Sequence, residues 1–168
     1  MRVTNPKARP SEAWAIGYGN LQRRDDGIGP FVVEALRERL KGRRDIRFYT
    51  CHQLEPALVE ELQDAVRIVF VDATLNELTN GWTCSRIHSP SDALPGFTHQ
   101  VSPPFFLTLL KAVYHRAPEA WLTSIQGTDF GFGEGPTPEA EARAVTAMDV
   151  VARLLTGDRK TRAGESST

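Results

Sequence analysis

From 66 to 71 the chain reads Val-Arg-Ile-Val-Phe-Val, apolar and β-branched at nearly every position, and Asp72 ends the run. A strand with one wet face alternates apolar and polar residues. This one does not, so it reads as a strand buried on both faces. Such a strand needs helices above and below its sheet, and the rest of the chain supplies them. Residues 13–17 form a short apolar run ended by glycine. From Ile28, the residues Val32, Val33, Leu36 and Leu40 fall at helical spacing, and Gly42 closes the segment. Residues 46–50 read as a second strand, 56–64 as a short helix and 83–88 as a fourth strand at an edge. Residues 104–114 carry Phe106, Leu109, Leu110 and Val113 at helical spacing, and 120–125 form another strand. A last helix starts at Thr137-Pro138-Glu139, with a stripe of Ala144, Val145, Met148, Val151, Ala152 and Leu155. Strands alternating with helices predict an α/β fold with a mostly parallel sheet covered on both faces.

The 168 residues suit one domain, expected over 12–156, with a flexible leader at 1–11 and a flexible polar tail at 157–168. Lys plus Arg number 20 against 21 for Asp plus Glu. That balance argues against nucleic-acid or membrane-surface binding, which need basic excess. No apolar run approaches the roughly 20 residues of a membrane span, and the leader lacks the apolar stretch of an export signal. Cys51 and Cys84 form no CxxC pair, so a cytoplasmic setting with two half-buried free thiols is expected.

In parallel sheets the chemistry sits beyond the carboxyl ends of the strands. After the first strand comes Gly17-Tyr18-Gly19-Asn20, then Asp25-Asp26-Gly27-Ile28-Gly29. A dinucleotide fingerprint would want a third glycine where Gln22 stands, with a helix at once, so a nucleotide loop is disfavoured. One acid of the pair can cap the following helix while the other projects into the cleft. Asp72 ends the central strand, where a carboxylate is costly unless paired or facing a cleft. Of the four histidines, His99 stands in the approach to a helix, His52 follows the second strand, and His88 and His115 read as surface residues. Two carboxylates and an imidazole (Asp26, Asp72, His99) would make an open site suited to a borderline divalent ion such as nickel or zinc.

The first of these motifs resembles the opening motif of the hydrogenase maturation proteases. Val69-Phe70-Val71-Asp72-Ala73 is similar to that family's second motif, and Thr98-His99-Gln100 to its third. Ser124-Ile125-Gln126-Gly127 and Gly135-Pro136-Thr137-Pro138-Glu139 resemble its last strand and last helix start. The similarity runs from about Trp14 to Leu155. Where many members have Gln-Pro after the last strand, this chain has Gln126-Gly127-Thr128, followed by the glycine-rich stretch 129–134.

The resemblance implies a three-layer α/β/α sandwich with a five-stranded sheet. It implies an endopeptidase that trims the C-terminal extension from the large-subunit precursor of a nickel–iron hydrogenase. Nickel would be supplied by that substrate protein, and Asp26, Asp72 and His99 would be its metal ligands and catalytic residues. Asp25 would be a spare carboxylate, either a general base or a helix cap. A non-catalytic, metal-sensing assembly chaperone on the same fold is the alternative.

Overall fold

The computed structural model describes residues 12–90 and 101–158. The expected leader, the segment 91–100 with His99, and most of the tail lie outside the described residues.

The strand β1 (Glu12–Tyr18) leads through a 3-10 turn (Arg24–Gly27) into helix α1 (Ile28–Arg39). Strand β2 (Ile46–Cys51), the short helix α2 (Leu58–Glu61) and a 3-10 turn (Leu62–Asp64) follow. Then come β3 (Ala65–Thr74), β4 (Trp82–Ile87), α3 (Pro103–Tyr114), β5 (Glu119–Gln126) and α4 (Pro138–Thr156). The five strands form one sheet in the order β2-β1-β3-β5-β4. All neighbours are parallel except β4, which runs antiparallel to β5 on the edge. The sheet is therefore mostly parallel, with four helices packed on it.

Both faces of the sheet are dry, as the run before Asp72 requires. On one face Ala13, Ala15, Val69, Val71 and Ile125 meet α1 and α4 through Val32, Leu36, Ala144 and Val151. On the other, Trp14, Ile16, Ile68 and Phe70 meet α2 and α3 through Leu58, Phe106 and Leu110. Strand side chains alternate between the two cores, so each strand feeds both layers. Helix α4 starts where its residues direct. The Thr137 hydroxyl accepts from the Ala140 amide at 3.3 Å, and Pro138 occupies the first turn. It stops at Gly157, whose φ of 73° suits a residue without a side chain.

The helix faces depart in part from the expected stripes. In α3, Val113 is exposed, while Leu107 and Thr108 are buried in its place. In α4, Val145 is exposed. The expected 56–64 helix is one α-helical turn running into a 3-10 turn.

Topology also sets which edge matters. The chain leaves β1 toward β2 through α1, whereas β3 lies on the other side of β1 and leads on toward β5. The carboxyl ends of β1 and β3 thus flank the point where the winding reverses, the usual place for a ligand crevice. Only 115–118 separate the end of α3 from the amino end of β5. Helix α3 therefore enters at the carboxyl edge and descends. Its first turn packs there, with the Phe106 ring 6.3 Å from that of Phe70, two residues before Asp72.

Candidate functional site

Glycines let the helix α1 start press directly onto the strand ends. β1 narrows from Ala13 and Ala15 to Gly17 on the face that meets α1. A β-carbon at Gly29 would stand 2.4 Å from the Val71 carbonyl oxygen and 2.6 Å from that of Tyr18. Gly19, at φ +143°, passes beneath the Asp26 backbone, whose oxygen would lie 1.8 Å from a β-carbon there. This close approach brings the residues after β1 over the end of β3, where Gly17 and Val71 are paired in register.

Asp26 is half-buried at that junction, and its Oδ2 accepts the Asn20 amide at 2.9 Å. Asp72 is also half-buried, and its Oδ1 accepts the following Ala73 amide at 2.8 Å. Burial pushes the Asp72 carboxyl up to about 6, and the negative charge of Asp26 adds to the rise. The Tyr18 hydroxyl and the Ala73 amide act against it. Tyr18 is itself raised, by burial first and then by the facing Asp72 carboxylate. Two acids from different strand ends thus stand near one another, and the charge of Asp26 disfavours that of Asp72. A divalent cation between them would relieve that repulsion, and paired carboxylate oxygens are a donor set such ions accept.

His52 stands exposed past the end of β2 and lines a 410 Å³ cavity with Gly19, Asn20 and Gln22. Among the described residues no three His, Cys, Asp or Glu side chains form a metal cluster, so His52 does not complete the pair. His88 and His115 are exposed. His99 lies outside the described residues, three positions before Ser102, the N-cap of α3. A second cavity of 370 Å³ lies at the start of α1, lined by Leu21, Arg24, Gly27, Phe31, Glu34 and Pro136 among others.

Asp25 does not cap α1, and it lies inside the protein. The N-cap of α1 is Gly27, which makes no side-chain cap bond. Asp25 is fully buried and accepts five hydrogen bonds across the chain. The donors are the Thr128 amide at 2.7 Å and hydroxyl at 3.3 Å, the Asp129 amide at 3.0 Å, and the Thr137 amide at 2.6 Å and hydroxyl at 3.0 Å. Burial alone would raise its carboxyl, but the amides of Thr128, Thr137 and Asp129 and the Thr137 hydroxyl outweigh it, and the net shift is downward. The glycine-rich stretch 129–134 does not simply turn. It is laced to the β1–α1 loop, with the Asp25 amide donating to Asp129 O at 3.1 Å and the Arg24 amide to Gly133 O at 3.1 Å.

No family model matches the chain, and no curated protein matches it in sequence. Solved structures do match. A nickel–iron hydrogenase maturation protease, HycI from Thermococcus kodakarensis KOD1, is 23% identical with a TM-score of 0.66, over 87% of this chain and 93% of that one. The fold is that of the hydrogenase maturation proteases. The hydrogenase maturating endopeptidase HybD from E. coli is 20% identical with a TM-score of 0.67, over 88% and 94%. A hydrogenase 2 maturation peptidase from a Thaumarchaeota archaeon is 21% identical with a TM-score of 0.66, over 87% and 99%. The maturation-protease fold thus spans nearly the whole of each chain. No helix among the described residues is long and apolar enough to cross a membrane.

Proposed function

We propose that this protein is an endopeptidase that removes the C-terminal extension of a nickel–iron hydrogenase large subunit after nickel insertion. The observation that supports the reading is the influence of the Asp26 charge on Asp72, each acid standing past the end of a strand that flanks the reversal point of a maturation-protease fold. In this reading Asp26, Asp72 and His99 grip nickel already held by the precursor, and the ion belongs to the substrate. A divalent ion in that position can polarise a carbonyl and activate water. The chain's own part is to hold two carboxylates ready. The Asn20 amide orients Asp26, the Ala73 amide orients Asp72, and Tyr18 faces the Asp72 carboxylate. Cleavage then depends on metal loading, because without the ion the acids repel each other and have nothing to grip. A cytoplasmic setting belongs to the same reading and agrees with the free state of Cys51 and Cys84.

The test is to mix the protein with a nickel-loaded large-subunit precursor and follow the precursor mass. The extension should be lost. Asp26→Ala, Asp72→Ala and His99→Ala should each slow the loss by about two orders of magnitude or more, with the fold intact. Normal processing by His99→Ala would remove the imidazole from the ligand set. Binding of the precursor without any change in its mass would point to a chaperone instead, and cutting of nickel-free precursor would end the metal dependence.

A further inference from the structure

The adjacent acids of the β1–α1 loop have different surroundings. Asp26 is half-buried and accepts the Asn20 amide, whereas Asp25 enters the protein with no exposed surface. A buried carboxylate is expensive unless its charge is answered. Among the described residues the answer comes from the five donors of Thr128, Asp129 and Thr137. All five belong to the β5–α4 connection, more than a hundred positions away in the chain.

The link runs both ways. While the Asp129 amide donates to the Asp25 side chain, the Asp25 amide donates to the Asp129 carbonyl at 3.1 Å. The Gly133 amide donates to Gln22 O at 2.9 Å, and Arg24 pairs with Asp129 at 3.2 Å. Gly127 leaves room for Asp25, since a β-carbon there would come within 2.8 Å of the Asp25 β-carbon. Capping α4 does not need this arrangement, because the Thr137 hydroxyl already accepts the Ala140 amide. What the carboxylate adds is a fixed distance between two loops.

We infer that Asp25 is a positioning residue: its buried carboxylate registers the β1–α1 loop against the β5–α4 loop and so sets where the adjoining Asp26 presents its oxygens. The inference rests on reading Asp26 as a metal-gripping residue. Ligand groups misplaced by a fraction of an ångström bind poorly, and partners that hold them are worth about 10–100-fold in affinity.

The Asn20 amide is the reporter, because it donates to Asp26 Oδ2. Asp25→Asn keeps the shape but sets an NH2 group against donor groups. Its control is Met148→Ala, a cavity in the α4 core away from both loops. The two variants are compared at temperatures giving equal folded fractions. In Asp25→Asn, Asn20 amide exchange should quicken about tenfold or more, and cadmium affinity measured calorimetrically should fall about tenfold or more. In Met148→Ala neither should change. Equal Asn20 exchange in the two variants would overturn the inference.

Should Asp25→Asn not fold, Thr128→Val removes one donor of the five and should quicken Asn20 exchange to a smaller degree. Unchanged exchange there would also overturn it. If the unaltered protein neither binds cadmium nor trims the nickel-loaded precursor, the protease reading fails, while Asn20 exchange still decides whether Asp25 positions Asp26.

Discussion

Single side chains near the cleft are set by how much water reaches them. Cys51 closes β2 beside the cavity that His52 lines, and burial, reinforced by Glu55, pushes its thiol up to about 11. Cys84 is also raised by burial, against the opposing hydrogen bond from Thr123. At pH 8 an ordinary thiol near 8.5 is about a quarter thiolate, whereas one near 11 is about 0.1% ionised. The more basic thiolate is intrinsically more nucleophilic by about tenfold. Alkylation of Cys51 by iodoacetamide at pH 8 should therefore run about 20-fold slower than that of free cysteine. Because the raised value keeps the proton on, the rate should climb about tenfold per pH unit between 8 and 10. Rapid labelling at pH 8 would show that Cys51 is far more solvated than its place implies. The same scale explains what the sequence could not separate. The place of Asp72 at the carboxyl end of β3 was readable, because an acid closing an almost wholly apolar run stands out. Asp25 and Asp26 are identical neighbours, and no local pattern tells which one goes inward. The facing of Tyr18 toward Asp72 was likewise invisible, since it depends on the contact between two strand ends.

At the level of elements, the junction between β1 and α1 is the tightest fit described. Gly29→Ala would drive a β-carbon to 2.4 Å from Val71 O and 2.6 Å from Tyr18 O, both backbone atoms with no rotamer to change. The variant should lose about 3 kcal/mol of stability in urea unfolding. It should also bind divalent cadmium more weakly, because α1 can only relieve the clash by lifting Asp26 off β3. A stable variant with unaltered cadmium binding would show that the junction has slack. Element positions were legible because start and stop residues such as Pro138 and Gly157 carry their own geometry. Element faces were less so. Helix α3 is apolar on most sides, with Phe105, Phe106, Leu107, Leu109, Leu110 and Val113, so spacing alone does not choose between them. Packing against Phe70 and Leu62 chose, and it left Val113 in water. The direction of β4 had no signature either, as an edge strand of mixed exposure can pair either way.

Across the whole molecule, two separate cores share one sheet. Leu36 is fully buried on the α1–α4 face and Leu110 on the α2–α3 face. Each strand side chain that leaves one core is followed by one that enters the other, so neither layer can melt alone. Leu36→Ala and Leu110→Ala should each cost about 3 kcal/mol, and each should show one transition by circular dichroism and by tryptophan fluorescence. Separate transitions for the two faces would contradict this coupling. The overall architecture was readable from the doubly buried central strand, which leaves few alternatives. The imidazole was not open to the same check, since His99 lies outside the described residues. The unlike surroundings of Asp25 and Asp26 also limit what insertions and deletions the chain tolerates. With Gly19 held in place, one residue gained before Asp25 would take that acid from its five donors and bring Asp26 to the place of Gly27, where a β-carbon stands 3.1 Å from Leu21 Cα.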